Sequence, residues 1–375
     1  MKALVIGGSG PTGPHVLTGL LERGYDVAML HRGVHEPDGL PAVRHIHADP
    51  HFASSLEPAL AGEAFDLVVA MYGRLKAVGQ VVTGRCGHLV GISGVPVYRG
   101  FVEPQDTCPY GMKLLAREGS PKADAAEKRA KAAMLVLEAE QLIFEQGRAH
   151  GVPVTSVRYP QIYGPRNIVP WEWAVVKRVL DGRRRIIVPD DGLWIISRCA
   201  ARNAAEVVLR IVDRPDVSGG EAFNCADEDQ FTLRQWVELA GRYAGGDLEI
   251  VGIPSAVARS AFAELLAPGS RPHMIVNTEK ARIELGYVEP VNAYDALRET
   301  VEWMIDNPIR LGEYPLYPAK FDYGLDDRMI DEYRRAVDVL NRGLGDKPPQ
   351  LGHPMPHPKA PALAPDELGT DERGR

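Results

Sequence analysis

Three observations predict a doubly wound parallel α/β sheet. Short apolar runs alternate with amphipathic stretches from Lys2 to Arg158. A glycine-rich turn, Gly7-Gly8-Ser9-Gly10-Pro11-Thr12-Gly13, sits between the first apolar run and the first amphipathic one. The chain has 375 residues, 45% hydrophobic and 25% charged, enough to bury a large core. Strand, crossover helix and parallel strand, repeated, build a sheet covered on both faces.

The first strand is Lys2 to Ile6 and the first helix spans His15 to Arg23. Glycines at 7, 10 and 13 let the backbone take positive φ and come close to a pyrophosphate. The helix N-terminus offers free N–H groups to it. Gly7, Gly10, Pro11, Thr12 and Gly13 are therefore the expected dinucleotide contacts. The second strand, Asp26 to Leu30, ends in His31-Arg32-Gly33. An acid there would bind the ribose hydroxyls of NAD, and a base suits the 2′-phosphate of NADP. No acid is present, so His31 and Arg32 favour NADP, with NAD the alternative; Arg32 on a plain exposed turn is the bland reading. The third strand, Val43 to Ala48, leads to Asp49, expected at the adenine edge. His45 and His47 share a face of this strand with His51 just beyond, a cluster able to bind metal. Surface histidines on an edge strand are the preferred reading, and no metal is expected.

Phe65 to Ala70 and His88 to Ile92 are the fourth and fifth strands, with a helix at Arg74 to Thr83 between them. A long helix is predicted over Lys122 to His150, its apolar residues Met134, Leu135, Leu137, Leu142 and Ile143 at helical spacing. Val152 to Arg158 is the sixth strand. Residues 1–164 thus read as the dinucleotide-binding domain. Residues 165–345 read as a mixed substrate lobe, in which a helix at Arg198 to Val212 returns to the main sheet. Further helices are expected at Thr232–Ala244, Ser255–Leu266, Ala293–Asn307 and Met329–Leu344. Residues 346–375 are proline-rich with little apolar content and read as a tail.

A formal net charge of −7 argues against nucleic acid as a partner. No apolar run is long enough to span a bilayer. Met1-Lys2 leads straight into the first strand, so no signal peptide is expected. The four cysteines, Cys86, Cys108, Cys199 and Cys225, show no C-x-x-C spacing and fit a reducing cytoplasm.

The glycine spacing, Ile92-Ser93-Gly94-Val95-Pro96-Val97-Tyr98, and Val157-Arg158-Tyr159-Pro160-Gln161-Ile162-Tyr163-Gly164-Pro165 together resemble the extended short-chain dehydrogenase/reductases, the NAD(P)-dependent epimerase and dehydratase branch. The likeness covers about residues 1 to 310. It implies a Rossmann-type fold, a small-molecule substrate and a homodimer packed through the long helix. It also implies a Ser, Tyr and Lys triad, with Tyr-x-x-x-Lys on the long helix. Glu140-Gln141-Leu142 fixes the alignment against Arg158. It puts Ala132 at the tyrosine position, Val136 at the lysine position and Gly94 at the second serine. Proton transfer is then expected from Tyr98, Lys128, Ser93 or Tyr163. Tyr72, which forms a Tyr-x-x-x-Lys with Lys76 after the wrong strand, ranks behind them.

Two functions follow. One is an atypical NAD(P)-dependent oxidoreductase, epimerase or dehydratase for a small polar or aromatic substrate. Trp171, Trp173 and Trp194 would wall its site, and Arg158 or Arg198 would hold an anionic group. Core packing is the alternative for the tryptophans. The other function is a nucleotide-binding sensor or scaffold without catalysis.

Overall fold

The computed structural model describes residues 1–33, 39–71, 75–124, 131–257, 272–309 and 321–344. Tyr72, Lys128, most of the helix expected at Ser255–Leu266 and the tail lie outside these residues. The strands are β1 (Lys2–Ile6), β2 (Asp26–His31), β3 (Arg44–His47), β4 (Phe65–Ala70), β5 (Cys86–Gly94), β6 (Val154–Tyr159), β7 (Gln161–Tyr163), β8 (Arg185–Pro189), β9 (Arg198–Ala200), β10 (Ala222–Asn224) and β11 (Glu249–Ile253). A seven-stranded parallel sheet runs in the order β10-β6-β5-β4-β1-β2-β3.

Alternation along β1 shows why the sheet is covered on both sides. Ala3 and Val5 enter one core, which holds Val16, Leu17 and Leu20 of α1 (Gly13–Glu22). Leu4 and Ile6 enter the other. That second core holds Leu56 of α2 (Ala53–Ala59), Val78 of α3 (Leu75–Val82) and Ile143 of α4 (Lys131–His150). Side chains on a strand point to alternate faces, so an unbroken apolar run serves two cores.

The helix α4 starts later than its periodicity suggests. Lys122 bridges Tyr98 as a strand residue would, and Ala123 N–H donates to Val97 O at 2.8 Å. Those backbone groups are then unavailable to a helix.

After β7 the chain builds a third core from α5 (Trp173–Leu180), α8 (Leu233–Tyr243) and α10 (Ala293–Asp306), with Ile186 and Val188 of β8. Between them, α6 (Ala201–Asp213) returns to the main sheet beside α1, and α7 (Pro215–Ser218) leads into β10. The remaining helices are α9 (Glu279–Leu285) and α11 (Tyr323–Leu344). Residues 1–327 form one compact unit and 328–375 a second. No described helix is long and apolar enough to cross a membrane.

Candidate active site

The turn after β1 is shaped by four glycines with different jobs. Gly7 and Gly8 both sit at φ +96°, where a side chain is strained. A Cβ on Gly13 would lie 1.9 Å from Gly8 O, so this glycine lets the helix close on the turn. A Cβ on Gly10 would meet nothing, so Gly10 borders open space. Thr12 stands at the N-cap of α1 without capping it, and the first turn has no acid. The Thr12 hydroxyl instead supports the phenol of Tyr159. Pro11, Pro14 and His15 face Gly164, Pro165, Arg166 and Arg202 across a cleft of about 140 Å³. Burial, then Arg202 and Arg166, hold His15 below its ordinary pKa. A helix N-terminus flanked by basic groups suits a pyrophosphate.

At the end of β2, parallel register places His31 beside His47 and Met29 beside His45. Registered neighbours point the same way, so His31 joins His45 and His47, and their donor atoms lie within 4.8 Å of one another. The sequence grouped His51 with these two. His51 instead pairs with Asp49 at 2.6 Å. That bond, with one from the His51 N–H, occupies one Asp49 carboxylate oxygen. His31 Nε2 and His45 Nδ1 are 3.0 Å apart, and Gly33 N–H donates to His31 Nδ1. Closing the three rings on a divalent ion would require giving up these bonds. Arg32 is exposed beside them.

Two of the residues expected to move protons, Tyr98 and Tyr163, are buried. Tyr98 is 1% exposed; its hydroxyl donates to Asn224 Oδ1 at 2.6 Å and accepts from Arg158 Nη1 at 3.0 Å. Burial raises its pKa, against the effect of Arg158. Tyr163 is fully buried and donates to Asp227 Oδ2 at 2.7 Å; burial and Asp227 push it well above the ordinary phenol. Neither is among the residues lining the two described cavities. Ser93 Oγ is buried, makes no regular hydrogen bond and helps hold Glu140 ionised. Besides Arg158, Lys122 lies 4.7 Å from the Tyr98 ring, and burial and then Arg158 lower its pKa to about 8.

Arg158 is equally committed. It grips Glu140 with two bonds, Nη2 to Oε1 at 2.6 Å and Nε to Oε2 at 3.0 Å, and both side chains are 4% exposed. Burial alone would raise Glu140, but Arg158 and Ser156 outweigh it and hold the carboxyl below its usual value. Val136, one turn before Glu140, packs with Val95, Val97 and Tyr98, while Ala132 is exposed.

The main cavity, about 550 Å³, opens beyond the C-terminal ends of β5 and β6. Such a position is where open α/β sheets bind ligands. Its walls are apolar, with Phe101, Tyr159, Trp171, Trp194 and Trp236 the large aromatics. Of the expected tryptophans, Trp171 and Trp194 are there. Trp173 is 5% exposed in the core behind them. Trp236 was missed because it follows Leu233 and precedes Val237 on an amphipathic helix, a spacing that reads as core.

Arg198 is the charged group lining this cavity. Pairing of β7 with β9 puts it beside Gln161, and Gln230 clamps its backbone at both N–H and C=O. Its guanidinium lies 4.5 Å above the Trp236 ring. Burial lowers its pKa to about 10, against the nearby Glu172. Glu172 is itself raised by burial to about 7, and its Oε1 accepts from Trp236 Nε1 at 3.2 Å. Arg198 Nε, Trp194 Nε1 and Gln161 Oε1 are buried without a hydrogen-bond partner.

No family model matches the chain. It is 25% identical over 346 residues to the 4-hydroxy-2-methyl-3-oxo-4-farnesyl-3,4-dihydroquinoline-1-oxide ketoreductase of Stigmatella aurantiaca, covering 80% of this chain and 96% of that protein. Among solved structures it resembles dTDP-glucose 4,6-dehydratase of Bacillus anthracis in complex with NAD, at a TM-score of 0.64 and 17% identity. That match covers 82% of this chain and 97% of the other. UDP-glucose 4-epimerase of Thermotoga maritima with UDP-glucose gives a TM-score of 0.65 at 17% identity, over 82% and 99%. The fold is the Rossmann-type α/β fold of these enzymes.

Proposed function

We propose that this protein is a nicotinamide-dinucleotide-dependent reductase of a bulky, largely apolar ketone. The observation that carries the reading is the continuity of the turn and the cavity. Tyr159 lines the cavity, and the Thr12 hydroxyl of the glycine turn supports its phenol. The aromatic walls suit a ring system better than a sugar nucleotide. The Stigmatella ketoreductase acts, by its name, on a farnesylated dihydroquinoline oxide. When bound, the reduced nicotinamide supplies the hydride.

The chain's own part is to bind and orient. Gly7, Gly10, Pro11, Thr12 and Gly13 cradle the pyrophosphate. Phe101, Trp171, Trp194 and Trp236 exclude water and hold the ketone flat. His31, Arg32, His45 and His47 give the ribose end a basic character, and we assign NADP as the preferred form on that basis.

The purified protein should oxidise NADPH when offered aromatic ring ketones, followed by nicotinamide absorbance. Binding of NADPH with no oxidation across a ketone panel would favour the non-catalytic scaffold, to which Ala132 and Val136 already lend weight. Arg32→Ala should weaken NADP by roughly 1–3 kcal/mol and leave NAD unchanged. Tighter binding of NAD than NADP by the wild type overturns the NADP assignment.

A further inference from the structure

The walls of the main cavity are apolar, yet the cavity contains a charge. Arg198 is 4% exposed, and its side chain makes no hydrogen bond and no ion pair among the described residues. Burying an unpaired cation is costly, and folds keep one where a partner completes it. Glu172 does not serve as that partner. Its Oε1 is taken by Trp236 and its Oε2 is unpartnered. Burial also raises its pKa to about 7, which weakens it as an anion.

A second group, Trp194 Nε1, is a buried donor with no acceptor. It lines the same cavity. Tryptophan N–H groups normally find a partner when buried. Two residues that line one apolar chamber therefore each carry an unsatisfied donor, and one of them is cationic. The Trp236 ring beneath the guanidinium, with Trp171 and Phe101, leaves flat surfaces against which a planar body can stack. The volume of about 550 Å³ falls in the range of sites for small organic molecules.

We propose that the cavity receives a planar aromatic molecule carrying an ionised oxygen group, seated on Arg198 and Trp194. The inference rests on the reading of this cavity as the substrate site and names the class of substrate that it selects. The ionised group replaces water at the guanidinium with a charge-assisted bond, and the rings replace it along the tryptophans.

The test uses the full chain without nucleotide. 2-Naphthoate and its methyl ester are titrated, and tryptophan fluorescence is read. The carboxylate should bind at least about tenfold more tightly than the ester. Arg198→Met, which keeps length but not charge, should abolish that preference and leave ester binding unchanged, and Arg198→Lys should restore part of it. Thermal melting checks the fold of each variant. Should Arg198→Met not fold, Trp194→Phe keeps a ring, removes the N–H and should narrow the preference. Equal affinity of the wild type for both probes, no binding of either, or a preference that survives both variants overturns the proposal. The carboxylate preference without ketone reduction defeats the reductase reading alone. Ketone reduction without the preference defeats this inference alone.

Discussion

At the scale of single residues, the glycine turn separates folding from binding. Gly13 has no room for a Cβ, because Gly8 O stands 1.9 Å from where it would be. Gly10 has room, and that room is where a pyrophosphate would lie. Gly10→Val should therefore melt like the wild type and show no nucleotide binding by calorimetry. Gly13→Ala should lose stability whether or not nucleotide is present. If Gly10→Val binds NADPH with wild-type affinity, the turn is not the phosphate cradle. Both glycines were visible in the sequence as parts of one motif. Their separate roles were not, because they depend on how closely α1 approaches the turn.

At the scale of elements, the pairing of α4 with β6 is decisive. Glu140 and Arg158 lie eighteen residues apart in sequence and meet in a bidentate ion pair at 4% exposure. Removing one member leaves the other charged, buried and unpaired, which costs about 3–5 kcal/mol. Arg158→Met should show that loss in urea unfolding, and pairing it with Glu140→Leu should recover much of it. Equal destabilisation by the single and double variants would mean that packing, and not charge, dominates. The spacing of Glu140 from Arg158 was legible and set the alignment that placed Ala132 and Val136, but their pairing was not, since Arg158 was expected to hold an anionic group of the substrate. The fate of Tyr98 was not legible. Its partners Arg158 and Asn224 arrive from β6 and β10, and no local pattern reports that they close around a phenol. The cavity was half legible for the same reason. Trp171 and Trp194 stand in irregular segments and drew notice, whereas Trp236 hides in the apolar stripe of α8.

At the scale of the whole molecule, two buried groups set opposite limits on stability against pH. Glu172 is raised by burial to about 7, so the folded chain holds a proton that the unfolded chain has released. Its contribution is lost as the pH rises from the ordinary carboxyl range toward 7. His88 works the other way. It is 6% exposed, and its Nε2 meets Thr155 Oγ1 at 2.9 Å while Thr155 donates to Ser218 O. With its proton spent on Ser218, Thr155 accepts from a neutral imidazole. Burial lowers His88 from 6.5 to about 4. Between those values the unfolded chain takes up a proton that the folded one does not, so stability is lost as the pH falls through that window. The full effect is about 3 kcal/mol. His88→Gln keeps a donor for Thr155 and cannot charge. Urea unfolding of both proteins at pH 7 and at pH 4 isolates the histidine, because the carboxylates contribute equally to each. The wild type should lose about 3 kcal/mol more than the variant between the two conditions; parallel losses would show that His88 is protonated in the folded protein without penalty.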